Sequence, residues 1–195
     1  MGKLPPKKNG NRILIICEGS EENDYITRLK ECKVWNSNYS ILPKNAKSID
    51  NISAVFGYNY RSTNYDAIFI FCDTEKAPYE KFLKLHNAIG SIIGDRKQVS
   101  NVVYFSNPCT MQIVLSHFGE VSLKSNDKSV NAPLIKSLTG VVDYKATENQ
   151  RMNMMKKINS ENYRVMKNNI AKLPKDHTNV PSTNCLELFN KLENV

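Results

Sequence analysis

No stretch of this 195-residue chain approaches the roughly 20 consecutive apolar residues that a membrane-spanning helix needs. The polar start, Met1 to Asn11, also lacks the apolar segment of a secretory leader, so the expected location is the cytoplasm and no membrane partner is expected. The five cysteines, at 17, 32, 72, 109 and 185, are odd in number, widely spaced and without a Cys-x-x-Cys pair. They predict reduced thiols and exclude a disulfide framework or zinc knuckle. Neither a Gly-x-Gly-x-x-Gly loop nor a Walker lysine loop occurs, which argues against a nucleotide-binding α/β protein. With 8 glycines, 8 prolines and 41% hydrophobic residues, the chain is neither collagenous nor disordered, and it has no internal repeat or low-complexity tract. Its length suits one compact domain, or a domain with a small appendage.

What is present is an alternating grammar. Ile13-Leu14-Ile15-Ile16-Cys17 is a β-branched run of the kind found in a parallel strand covered on both faces. It stops at Glu18-Gly19, where Ser20, a crowd of acids, and Tyr25, Leu29 and Cys32 at helical spacing predict a helix of about three turns. A second strand at Tyr39–Leu42 and a helix over 49–60 follow. The strongest strand, Ala67–Cys72, ends at Asp73-Thr74-Glu75 and leads through Pro78 into a helix that closes near Gly90. Asn101–Phe105 is the fourth strand, and Met111–Phe118 reads as a buried helix. Residues 120–143 carry no clear pattern, whereas 147–173 read as helical, with Tyr163, Met166, Ile170 and Leu173 forming a stripe. This order predicts an α/β, Rossmann-like fold: a mainly parallel sheet of about four strands with helices on both faces, and a helical region after it.

In open parallel sheets ligands bind beyond the carboxyl ends of the strands. Glu18 falls at the end of the first strand, and Asp73 and Glu75 at the end of the third. Asp73 and Glu75, two apart on an extended segment, point the same way and can share a cation. A hard ion such as Mg²⁺ or Mn²⁺ takes carboxylate oxygens, waters and a substrate phosphate, so the set suits phosphodiester chemistry. Its carboxylates are then expected within roughly 4 to 8 Å of each other, the reach of one or two shared ions. Acids in these places also serve as helix caps, and that reading stands beside the metal one. Glu22, one turn into the helix, either faces the site as a further ligand or is a solvated first-turn acid favoured by the helix dipole.

Glu18-Gly19 after an apolar strand, with an Asp-x-Asp-like element after a later one, resembles the Toprim domain of topoisomerases, primases and OLD-type nucleases. The string Glu18-Gly19-Ser20-Glu21-Glu22-Asn23-Asp24-Tyr25 is similar to the signature of small Toprim proteins, with Glu21 where Thr is usual. Ser106-Asn107-Pro108-Cys109 followed by His117-Phe118, and Pro181-Ser182-Thr183 before a leucine stripe, resemble elements of RloB-like proteins over residues 13–192. Two positions depart from the pattern: Glu75 replaces the second Asp, and Met111 stands where the family carries a Glu. The resemblance implies a Toprim-like domain over 13–119, with Glu18 as general acid or base or as a ligand, and Asp73 and Glu75 holding Mg²⁺. It implies a nuclease in prokaryotic phage defence or a mobile-element setting. It also implies a histidine at 117; His117 contacts substrate or is a core histidine, and Ser106 and Asn107 reach the same edge or serve the turn before Pro108. The other reading is a nucleic-acid-binding or sensor module whose site has decayed, working beside a partner ATPase.

The formal charge is +8. Residues 1–12, expected as a mobile arm, carry Lys3, Lys7, Lys8 and Arg12 with no acid. Residues 144–175 carry eight bases, Arg151, Lys156 and Lys157 among them, against Glu148 and Glu161, which leaves the rest of the chain acidic. A nucleic-acid partner is therefore expected, gripped by the basic helical region 120–195 while the acidic edge presents metal; a solvated basic face is the other reading.

Overall fold

The computed structural model describes residues 11–62, 64–74 and 76–193. Glu75 and nearly all of the 1–12 arm therefore lie outside the described residues. The first half alternates as its sequence dictates: β1 (Asn11–Cys17), α1 (Ser20–Glu31), β2 (Tyr39–Asn45), α2 (Ile49–Arg61), β3 (Ala67–Asp73), α3 (Glu80–Ile93) and β4 (Val103–Asn107). After these come α4 (Met111–Leu115), α5 (Lys128–Thr139), α6 (Glu148–Met155), α7 (Ser160–Ile170), a two-residue β5 (Ser182–Thr183) and α8 (Cys185–Glu193).

The sheet order is β2-β1-β3-β4-β5, with the first four strands parallel and β5 antiparallel to β4. It thus has a fifth strand beyond the four that the sequence pattern predicts. Alternation along each strand feeds two cores. Ile13, Ile15, Cys17, Phe71 and Tyr104 face one, with α1 and the helices after residue 110. Leu14, Ile16, Ile70, Cys72 and Phe105 face the other, with α2 and α3. Both faces of the sheet are covered, which is why its strands read as unbroken apolar runs. All five cysteines are free thiols. No helix among the described residues is long and apolar enough to cross a membrane.

The stretch 147–173 holds two helices, the second beginning at Ser160, and Arg28 of α1 sits at the break. Its guanidinium donates to the Ile158 carbonyl at 3.0 and 2.7 Å and to the Lys156 carbonyl at 3.3 Å, meeting carbonyls that a continuing helix would use. Asn159 then caps α7, its side chain accepting from the Glu161 and Asn162 amides. Helix α5 arises where the sequence shows no pattern. It runs through Pro133 without a break, while Asp127 caps its start through the Ser129 amide and Gly140, at φ +70°, closes its end.

Candidate functional site

The chain steps outward from β1 to β2 and then returns across to β3. The loop after β1 leads to α1 on one face, and the loop after β3 leads to α3 on the other. The crevice between diverging loops is the topological switch point, where open parallel sheets bind ligands. Glu18 immediately follows β1 and Asp73 ends β3, on neighbouring strands. The structure brings these two together: the Asp73 amide donates to Glu18 Oε2 at 3.1 Å.

Glu22 joins them from α1. It is 4% exposed, so the solvated first-turn reading gives way to a buried carboxyl. The Gly19 amide donates to Glu22 Oε2 at 2.8 Å, and a Cβ at position 19 would stand only 3.2 Å from that oxygen. Gly19 thus eases the close approach of a carboxylate to backbone, which a Cβ would make tight, at an ordinary extended φ. On the opposite side Thr110 donates to Asp73 Oδ1 through both its amide, at 2.6 Å, and its hydroxyl, at 2.8 Å. One oxygen of each acid is therefore held by a backbone amide, but Glu18 bonds an amide of β3 and Asp73 the Thr110 amide after β4, so neither caps the helix that follows its strand. Glu22 bonds the Gly19 amide at the start of its own helix.

Burial, then the charges of Glu22 and Glu18, push the Asp73 carboxyl well above its usual range, against the bond from Thr110. Burial also raises Glu22, against bonds from Thr110 and Gly19. The Thr110 hydroxyl has one proton and gives it to Asp73.

A cleft of ≈ 190 Å³ opens beside Asp73, walled by Met111, Ile135 and Tyr144 and rimmed by Asn126, Lys128 and Glu21. Glu21 is held there by the Tyr144 hydroxyl at 2.5 Å and by Lys128 at 3.7 Å. Arg151, a candidate substrate contact, ties α6 to α1 through Asp24 at 2.8 Å and also donates to the Ala146 carbonyl. Lys156 and Lys157 border a different depression, with Val142, Gln150 and Asn153. Ser106 is buried and donates to the Cys109 carbonyl, while Asn107 donates to the carbonyls of His177 and Asn179. His117 lies in the core, 2% exposed, bonded to Tyr25 and Asn162. Thr110 and Tyr144 were not legible as site residues. Thr110 at the start of a helix that follows a strand end offered a signal, and Tyr144, in an unpatterned stretch, offered none.

Among the described residues, no group of three or more His, Cys, Asp or Glu side chains stands close enough to hold a metal ion. Mg²⁺ commonly rests on one or two carboxylates, with waters and substrate phosphate supplying the rest. Hard oxygen donors on Glu18 and Asp73, crowded with like charge, fit such an ion. A family model described as RloB-like protein matches residues 13–192. No curated protein and no solved structure matches the chain.

Proposed function

The chain belongs to the RloB-like family, and from that premise we propose that it is a Mg²⁺-dependent nuclease or phosphodiesterase acting on DNA or RNA. The observation that carries this reading is the convergence of Glu18 and Asp73 at the switch point of the sheet, with Asp73 raised by burial and by the charges of Glu22 and Glu18. Repulsion of this kind is what a bound cation relieves. Glu18 and Asp73 would hold Mg²⁺ or Mn²⁺, which when bound supplies charge stabilisation at a scissile phosphate. Thr110 orients Asp73 through two bonds, and the Asp73 amide orients Glu18. Glu22, buried and raised by that burial, adds a third carboxyl beside that edge. The Toprim character of the domain and a setting in phage defence or mobile elements belong to the same proposal.

The test is nicking of plasmid DNA and cleavage of structured RNA, with and without Mg²⁺, by wild type and Asp73→Asn. Loss of about a hundredfold or more in the variant is expected, the scale of removing one stabilising group from a reaction centre. Equal rates would assign the activity to a contaminant. Mn²⁺ binding read by calorimetry should vanish in Asp73→Asn, and wild type that binds neither ion defeats the metal reading. A second reading, a nucleic-acid-binding sensor with a decayed site working beside a partner ATPase, is favoured by one observation. Met111, where the family carries an acid, forms an apolar wall beside Asp73. Metal binding without cleavage would select it.

A further inference from the structure

A second cavity, of ≈ 220 Å³, lies beside the cleft at Asp73, and Asn126 lines both. Lys128 and Tyr144 line the first; Lys76, Lys124 and Tyr79 line the second. Each therefore has lysine at its border and shares the asparagine, and the second adds the half-buried ring of Tyr79, whereas Tyr144 is buried behind Glu21. Asp73 at the end of β3 lines the first and Asn107 at the end of β4 the second, so both border the carboxyl edge of the sheet. Lys76, Lys124 and Lys128 are exposed. Lys128 reaches Glu21 only at 3.7 Å, and Lys124 donates to the Val180 carbonyl at 3.3 Å, so both can turn to a phosphate.

The geometry points to a track for single-stranded nucleic acid through these two joined cavities. Grooves that hold single strands pair cations, which follow the phosphates, with aromatic rings, which receive unpaired bases. The half-buried ring of Tyr79 can receive an unpaired base, which a stacked duplex does not present. The inference rests on the reading of the Asp73 edge as the reaction centre. It moves the substrate grip from the late basic helices to three lysines that bracket that edge.

Fluorescence anisotropy in EDTA, with a labelled strand of about 12 nucleotides and its duplex, tests the track within the site sizes of such grooves. The strand should bind roughly tenfold or more tighter than the duplex. The triple variant Lys76→Gln, Lys124→Gln, Lys128→Gln should weaken strand binding by about tenfold and reduce the salt slope by about 2, three lost phosphate contacts at roughly 0.7 each. These side chains are exposed, and an unchanged melting temperature verifies the fold. Equal binding of duplex and strand overturns the inference. So does unchanged binding by the triple variant with the loss falling on Lys156→Gln and Lys157→Gln instead. Because binding is read without Mg²⁺, a protein that grips the strand through these lysines yet never cleaves removes the nuclease reading and leaves the track. Cleavage that is indifferent to the three lysines does the reverse.

Discussion

His117 accepts from the Tyr25 hydroxyl at Nε2, 2.9 Å away, because its Nδ1 faces Asn162 Oδ1 at 3.1 Å. That Asn162 oxygen already accepts from the Asn159 amide, so it is the acceptor and Nδ1 carries the hydrogen. Burial lowers the His117 pKa to about 4. The unfolded chain, with an ordinary histidine near 6.5, binds the proton more readily, so this contribution to stability is whole above about pH 6.5 and is lost as pH falls toward 4. By pH 5 the loss should be about 2 kcal/mol for this group. Urea unfolding of wild type and His117→Gln at pH 7.5 and pH 5 measures it. The variant should lose less on acidification by that amount, and parallel losses would refute the assignment.

β5 shows how a two-residue strand holds an element in place. Asn184, just after it, accepts from the Phe105 amide at 2.8 Å and donates to the Val103 carbonyl at 3.1 Å, so its side chain extends the ladder along the edge of β4. Thr183 adds a hydroxyl bond to the Phe105 carbonyl at 2.6 Å. An exposed sheet edge invites pairing with other chains, and this polar clasp closes it. Asn184→Ala leaves both backbone groups of β4 without these partners and should cost about 2 kcal/mol. Asn184→Asp, which keeps the acceptor alone, should fall between. A urea midpoint unchanged in Asn184→Ala would show that the clasp is dispensable.

For the whole molecule, the surplus of base in 144–175 is partly neutralised within the fold. Arg151 pairs with Asp24, Lys167 with Glu193, Lys172 with Glu120 and Lys175 with Glu187. All four acids lie outside the basic helices: Asp24 on α1, Glu120 after α4, and Glu187 and Glu193 in the first and last turns of α8. Ion pairs of this sort contribute little each, but they remove charge that a distant phosphate would otherwise meet. The same long-range packing sets cooperativity. One core joins Ile13 of β1 to Leu192 of α8, and Trp35, the single tryptophan, stacks on Phe189 and donates to the Tyr163 hydroxyl at 3.2 Å. Tryptophan fluorescence and far-UV circular dichroism should therefore report one unfolding midpoint. Two midpoints would show that the region after residue 120 unfolds by itself.

By itself the sequence determined the alternating elements through β4, because apolar runs and helical stripes are local patterns that burial on two faces preserves. It also placed Glu18 and Asp73 at strand ends, since position relative to an apolar run is local. Tertiary structure alone decided the rest. Arg28 meets the carbonyls between α6 and α7 from the far side of the sequence, and β5 pairs only because β4 offers an edge. Glu22 is buried because Gly19 lets its carboxyl approach the backbone, and Thr110 meets Asp73 only when β3 and β4 lie side by side. Bonds between residues distant in the chain leave no periodic trace in the sequence, and these bonds set the chemistry of the acidic edge.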